Sequence, residues 1–235
     1  MDKLHNYFND RYRRAVLAKP EKDAGPVITI SRTTGCDGRQ VAEELVEQLN
    51  RRSNSKKWRW IDKDIIYKAA REVNIGAHRV ETIYKGAELS NMSEIIMAFS
   101  GSFVSDMKIK RAIREVVLSI CKEGFIVIVG RGGAVISADI PDALHIRIIA
   151  PFYWRVNNVM RKKNFEISRA EKFVIETDQK RMAILHSFMD KKPLNLDYLF
   201  DATLNRASFE IGELSNLIME MYLRKVCRKN TKGIC

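Results

Sequence analysis

The chain has 235 residues, 46% of them hydrophobic and 30% charged, with a formal net charge of +12. This balance is typical of a globular domain and excludes a disordered chain. No apolar run approaches the roughly 18 residues that a transmembrane helix requires, so we expect no membrane partner. The positive charge favours polyanionic partners such as nucleotides, nucleic acid or anionic lipid, with a solvated basic surface as the simple alternative.

The N-terminus and the cysteines bear on the cellular environment. Residues 1–19 are polar and lack the apolar core of a secretory signal. The four cysteines, Cys36, Cys121, Cys227 and Cys235, form no CxxC pair and no metal-ligand spacing with a histidine. We therefore expect a reducing, cytoplasmic environment. Cys121 lies in an apolar helical run and is predicted to be a core residue, whereas Cys36 lies in a glycine-containing turn that leaves room for exposure.

Short apolar runs that alternate with helical patterns predict the fold. Residues 1–26 form a predicted helical arm and linker, and the arm either mediates homodimerisation or packs on its own domain. Strands are predicted at residues 27–31, 58–61, 125–129, 144–149 and 199–204. Helices are predicted from about residue 39 and at 64–73, 79–88, 92–99, 103–123, 152–189 and 207–225. Within 152–189, Ser168 and Glu171 fit a capping box that starts a new helix.

This alternation predicts an α/β domain over residues 27–222. Its core is a doubly wound five-stranded parallel sheet with helices on both faces, as in P-loop nucleotide kinases. A helical lid is predicted at about 155–190, and a basic, frayed tail at 223–235. Because ligands bind beyond the carboxyl ends of such strands, the loops that follow the strands carry the candidate site residues.

The first such loop joins a strand to a helix through two glycines. Glycine lets the backbone approach an anion closely, and the helix N-terminus adds positive potential. Strand, glycine turn and helix is the P-loop layout, although the GxxxxGK[ST] pattern is not matched. An ordinary β-to-α turn is the alternative. The phosphate-binding candidates are Ser31, Arg32, Gly35, Cys36, Asp37, Gly38, Arg39 and Gln40.

The next two strands end in a carboxylate and in an arginine. Asp62 can hold Mg²⁺ or position an attacking oxygen, while the alternative for Asp62 or Asp64 is a helix N-cap. Arg131 is flanked by Gly130, Gly132 and Gly133, a placement suited to bidentate phosphate binding. The alternative for Arg131 is a surface arginine in a flexible turn.

The predicted lid is rich in arginine and lysine. Arginines from a closing lid can stabilise the negative charge that develops during phosphoryl transfer. A solvated basic helix face is the alternative for most of these residues, and Arg155 and Arg181 are the favoured catalytic candidates.

Taken in this order, the motifs resemble the cytidylate-kinase-like family over about residues 27–222. Residues 28–42 are similar to its ITISREYGSGGREIA pattern, and residues 61–66 to its DKEII segment. Further landmarks are matched by residues 129–132, by Ala150 and Pro151 with Arg155, and by residues 177–181.

The resemblance implies ATP-dependent phosphoryl transfer, with Mg²⁺, to a nucleoside monophosphate such as CMP or to a related small molecule. Gly35, Gly38 and Arg39 would hold the donor phosphates, which Arg155 would contact from the lid. Asp62 would hold the metal or orient the acceptor. Acceptor binding is implied for Tyr67, Lys68, Arg131, Asp178 and Arg181. Arg39, Asp62, Arg131, Arg155 and Arg181 are therefore the catalytic candidates.

The chain also departs from the pattern of true P-loop kinases. Gly38 occupies the position of the Walker lysine, and Arg39 or Gln40 that of the metal-binding Ser/Thr. Asp37 stands where the family has glycine, Gly132 replaces the aspartate of a GRD motif, and a lid arginine expected near Val174 is absent. Arg39, helped by Arg32, is the candidate replacement for the lysine.

Two other hypotheses remain. One is a degenerate kinase fold that binds a nucleotide without turnover. The other is a nucleic-acid binder, which the +12 charge favours but no recognised motif supports, so we do not expect nucleic acid as a partner.

Overall fold

The computed structural model describes four segments of the chain, residues 25–53, 57–62, 106–189 and 196–230. The predicted N-terminal helical arm, Tyr67, Lys68 and the predicted helices between residues 64 and 99 lie outside the described residues.

Five parallel strands form one sheet, which confirms the predicted architecture. They are β1 (Val27–Arg32), β2 (Arg59–Ile61), β3 (Ile126–Val129), β4 (Leu144–Ile149) and β5 (Ala202–Asn205), in the order β2-β3-β1-β4-β5. β1 lies at the centre, with Ile30 in register with Val129 of β3 and Ile146 of β4. The loop after β1 is therefore flanked by the loops after β3 and β4.

Helices connect and cover the strands. They are α1 (Gly38–Arg52), α2 (Asp106–Glu123), α3 (Gly133–Ile136), α4 (Phe152–Lys163), α5 (Ile167–Ser187), α6 (Leu196–Leu199) and α7 (Ile211–Asn230). Among the described residues, no helix combines the length and the apolar character needed to span a membrane.

Both faces of the sheet are buried, as the continuous apolar strand sequences predict. Because side chains alternate along a strand, Ile126 and Ile128 pack against α2, whereas Val127 and Val129 face the opposite layer. That opposite layer consists of α1 and α7, which present Leu45, Leu214 and Ile218 among other apolar side chains. These two cores fix the strand ends from which the candidate site is built.

The predicted lid is a pair of helices, α4 and α5, with a small apolar cluster of its own. Val156, Val159, Ala170 and Val174 are buried in this cluster. Val174 is fully buried there. The family pattern has a lid arginine near this position. In this chain, Val174 instead contributes to the packing between the two helices of the predicted lid.

Several predicted boundaries are corrected. The fifth strand begins at Ala202 rather than at 199, because Leu199 and Phe200 pack with Ala134 and Leu185 outside the sheet. The helix predicted from about residue 39 begins at Gly38 and continues through Arg52. The tail predicted to be frayed is helical to Asn230.

Two local predictions also fail. Helix α5 starts at Ile167 after an extended Glu166 that serves as its N-cap, so Ser168 lies inside the first turn and forms no capping box. Cys36 is buried instead of exposed, because its turn folds back against the apolar core that contains Val41 and Leu45.

Candidate functional site

The loop between β1 and α1 is pressed against lid helix α4. Gly35 adopts φ +90°, and a Cβ at this position would lie 2.8 Å from the carbonyl oxygen of Arg155. The side chain of Asn158 donates a hydrogen bond of 2.6 Å to the carbonyl of Gly35. Glycine is needed at position 35 because both the positive φ and the close approach exclude a side chain.

Asp178 and Arg155 link the lid to this loop. The Oδ1 atom of Asp178 accepts hydrogen bonds of 2.7 Å from both the backbone N–H and the hydroxyl of Thr34. Its Oδ2 atom lies 2.5 Å from Nη1 of Arg155. Arg155 also donates to the carbonyls of Ala150 and Thr34, at 3.0 and 3.2 Å. Both side chains thus have protein partners, and their predicted contacts with acceptor and donor phosphates stay predictions.

Asp37 is the last loop residue before α1, and its carboxylate points at the lid. It has φ 53°, a left-handed conformation that Asp tolerates better than most non-glycine residues. Its carboxylate accepts hydrogen bonds from Asn158, at 2.9 Å, and from Lys162, at 2.6 Å. The Asp37 side chain makes no capping hydrogen bond to α1. The charge of Asp37 is therefore neutralised from α4 rather than by the helix that follows it.

Asn158, Lys162 and Arg206 are site residues that the sequence reasoning missed. Arg206 lies 4.0 Å from Asp37, stacks on the Trp154 ring at 5.4 Å and donates to the carbonyl of Phe209 at 2.6 Å. It follows β5 directly, so the rule that placed candidates after the first four strands would have found it at the fifth. Nothing in their sequence spacing marks Asn158 or Lys162, because their partner is more than a hundred residues away.

Arg32 lies close to three other arginines and to one buried carboxylate on the other side of the same loop. Asp62 follows β2, is 3% exposed and forms an ion pair with Arg39. The remaining members are Arg32, Arg131 and Arg181. We call this group, Arg39, Arg131, Arg181 and Asp62 around Arg32, the arginine cluster.

Among the described residues, the arginines of this cluster outnumber its one carboxylate. Burial, followed by repulsion from Arg181 and then Arg131, lowers the pKa of Arg32 well below its usual value, against the opposing influence of Asp62. Burial also lowers the pKa of Arg181, against the opposing charge of Asp178 and with repulsion from Arg131. Arg181 is held in place by a 3.1 Å hydrogen bond to the carbonyl of Arg32. Guanidinium groups that lower one another's pKa favour an anionic ligand between them.

Arg131 lies in a turn of three consecutive left-handed residues. Gly130, Arg131 and Gly132 have φ of 78°, 55° and 69°. The N–H of Gly130 donates to the carbonyl of Ile30, which fixes the turn to the end of β1. A non-glycine residue with positive φ is uncommon and is found often at functional sites.

The other predicted phosphate-binding residues of the first loop have varied surroundings. Ser31 lies in β1 and is in register with Arg147. Gln40 is exposed on α1 and accepts a hydrogen bond of 3.0 Å from Lys162. The Cys36 sulfur lies 3.1 Å from the hydroxyl of Thr33, and burial raises the pKa of this thiol. The Cys36 side chain thus faces the protein interior, and a contact with phosphate would come from its backbone.

Asp62 is the carboxylate of the arginine cluster that suits a metal. In the described segments, no group of three or more His, Cys, Asp or Glu side chains is arranged to hold a metal ion. Mg²⁺ bound mainly through phosphates and water needs only one or two carboxylates, so Asp62 fits this requirement. Arg39 already pairs with one oxygen of Asp62, and a metal would share that carboxylate with Arg39.

Comparison with known proteins gives the family. The model of the "Cytidylate kinase-like family" matches residues 27–208, which is most of the chain. The chain belongs to the cytidylate kinase-like family. The match starts at β1, contains all five strands and both lid helices, and confirms the resemblance drawn from the strand-end motifs.

One curated relative is the uronate isomerase of Corynebacterium glutamicum. It is 28% identical over 138 residues, which is 58% of this chain and 26% of that protein. The chain thus spans about a quarter of the length of the curated relative.

Two solved structures are similar to this member of the family. An uncharacterized protein from Eubacterium ventriosum has a TM-score of 0.59 at 19% identity, covering 84% of this chain and 97% of its own. The shikimate kinase of Bacteroides thetaiotaomicron has a TM-score of 0.45 at 9% identity, covering 88% and 98%. The first of these similarities supports the fold and nothing beyond it.

Proposed function

We propose that the protein is a phosphotransferase that moves the γ-phosphoryl group of ATP, with Mg²⁺, to a nucleoside monophosphate of the CMP type. The observation that carries this proposal is the arginine cluster, in which Arg39, Arg131 and Arg181 lie close to Arg32, so that guanidinium groups outnumber carboxylates there among the described residues. A ligand with several negative charges would balance this excess. The phosphates of a donor and an acceptor nucleotide together provide such charges.

Phosphoryl transfer needs positioning and electrostatic stabilisation more than covalent chemistry by the protein. Arg131 and Arg181 have the planar, forked donors that bind phosphate oxygens in pairs. Asp62, buried between β2 and the cluster, can orient the hydroxyl or phosphate oxygen that attacks. When bound, Mg²⁺ neutralises charge on the donor phosphates, and Asp62 would hold it through the carboxylate that Arg39 shares.

The start of α1 suits the donor phosphates. The first N–H groups of a helix have no carbonyl partner within the helix and favour an anion. The Asp37 side chain gives them no capping hydrogen bond, since its carboxylate faces Lys162 and Asn158. The N–H groups from Gly38 onward are therefore the backbone donors that we assign to the donor phosphates.

Asp37 itself favours a second candidate function, nucleotide binding without turnover. A carboxylate in the phosphate loop repels phosphate, and Gly38 leaves the position of the Walker lysine without a charge. In this alternative the fold would sense a nucleotide, and the lid contacts of Asp37 would carry the response.

Thermal unfolding with nucleotides tests the proposal and separates the two candidates. ATP, ADP and each nucleoside monophosphate would be added with and without Mg²⁺, and ADP release would be measured with each acceptor. Phosphotransferase activity requires a rise in unfolding temperature with ATP and metal-dependent ADP release with one acceptor. A rise without ADP release supports binding alone, and the absence of any rise contradicts both.

A further inference from the structure

The side chain of Arg32 occupies the space of the side chain that Gly38 lacks. A Cβ at position 38 would lie 3.0 Å from both Cγ and Cδ of Arg32, which is tighter than ordinary packing. Any residue other than glycine at position 38 would therefore press on the methylene groups of Arg32. Position 38 lacks the Walker lysine, and the side chain of Arg32 passes through the space that a side chain at this position would occupy.

The guanidinium of Arg32 ends between the loops after β1 and β3. A Cβ at Gly130 would collide with Nη1 of Arg32 and would lie 3.2 Å from its Cζ. Gly130 starts the turn that carries Arg131, and the carbonyl of Arg32 receives the hydrogen bond of Arg181. Gly38, the first residue of α1, and Gly130, in the loop after β3, thus leave space for the side chain of Arg32, which extends into the arginine cluster.

We propose that Arg32 supplies the phosphate-binding cation that P-loop kinases take from the lysine at the position of Gly38. The inference rests on the phosphotransferase or nucleotide-binding function proposed above, and it names a residue in that site. In P-loop enzymes this lysine reaches back from the start of the helix to the β- and γ-phosphates. Arg32 reaches the same region from the end of β1 and keeps its charge because the guanidinium remains protonated in proteins.

Arg39 suits this task less than the sequence predicts. Its guanidinium pairs with Asp62, and its side chain is 54% exposed. Arg32 is partly buried, is anchored along Gly38 and lies among Arg39, Arg131 and Arg181. A buried and fixed cation stabilises phosphate charge more strongly than an exposed one, since water screens it less.

The test removes the positive charge at position 32 and then restores a positive charge at position 38. Arg32→Met keeps an unbranched side chain beside Gly38 but removes the charge, and the double variant Arg32→Met/Gly38→Lys returns a charge by the usual route. Arg51→Ala, which removes an exposed charge from the last turn of α1, is the matched control. The dissociation constant of ATP, with Mg²⁺, and the unfolding temperature would be measured for each full-length variant.

We expect Arg32→Met to weaken ATP binding at least tenfold, on the order of the loss of one charged phosphate contact, and the double variant to recover most of it. Gly38→Lys alone should lower the unfolding temperature, because its Cβ meets Arg32, and Arg32→Met should relieve this loss. ATP binding that Arg32→Met leaves unchanged, or that Gly38→Lys cannot restore in the double variant, would overturn the inference and leave the proposed function standing. A wild-type protein that binds no nucleotide would overturn the proposed function as well.

Discussion

The two sides of the first loop use charge in opposite ways. On one side, in the described part of the chain, the arginine cluster brings four guanidinium groups together with one carboxylate, that of Asp62. On the other side, Asp178 pairs with Arg155 of helix α4. Asp37 pairs with Lys162 of the same helix and lies 4.0 Å from Arg206, so each carboxylate has a basic partner. We call this second group, Asp37 and Asp178 with Arg155, Asn158 and Lys162, the lid contact.

The difference separates opposite charges that pair with each other from like charges that lie close together. Opposite charges in direct contact satisfy each other, so the lid contact fixes α4 on the loop without a ligand. Like charges held together are unfavourable unless an anion joins them. Arg155 and Arg181 come from the same predicted lid. Arg155 pairs with Asp178, whereas Arg181 donates to the carbonyl of Arg32 and only feels the charge of Asp178. A count of basic residues in the sequence cannot show this difference.

The largest expected effect comes from the arginine cluster. Arg131→Ala should lower kcat/KM for ADP release by about 100- to 1000-fold, because one donor to the developing charge is worth about 3 to 4 kcal/mol in the transition state. Lys172→Ala, an exposed lid residue, is the control. An unchanged kcat/KM with an active wild type would remove Arg131 from the site.

We expect a change in the lid contact to lower the free energy of unfolding. Asp178→Ala removes two hydrogen bonds to Thr34 and leaves Arg155, whose side chain is 11% exposed, without its carboxylate. We expect a loss of about 2 kcal/mol in the free energy of unfolding, measured in urea. Asp139→Ala, at an exposed position, should change it little. If Asp178→Ala unfolds at the wild-type urea concentration, the contact does not stabilise the fold.

The smallest effect should come from Asp37, the residue of the lid contact that lies directly before α1. Asp37→Asn removes a negative charge beside the start of α1, so ATP should bind about fivefold more tightly, since a unit charge about 4 Å away is worth about 1 kcal/mol in water. Isothermal titration calorimetry would measure this, with Asp139→Asn as the control. If Asp37→Asn instead binds ATP more weakly, the Asp37–Lys162 pair is needed for the conformation of the phosphate loop. The lid contact would then contribute to ATP binding together with the arginine cluster.

The strands were predictable because strands buried on both faces have continuous apolar sequences, as residues 126–129 do. The candidates Asp62 and Arg131 were predictable because parallel strands bring their carboxyl ends to one edge. Asp37 was among the predicted phosphate-binding residues, and its contacts with helix α4 were not predictable, because Asn158 and Lys162 lie far along the chain. The path of the Arg32 side chain past Gly38 was not predictable either. The sequence shows that the Walker lysine is missing, but it does not show that Arg32 occupies the space.

The excess charge of the arginine cluster also has a consequence for encounter kinetics. A fixed positive field at the carboxyl edge draws anions toward the site and raises their association rate. The paired charges of the lid contact add little to that field, because opposite charges a few ångströms apart cancel at longer range. Salt shortens the reach of the field to about 8 Å at physiological ionic strength, so nucleotides should find this protein more slowly as salt is raised.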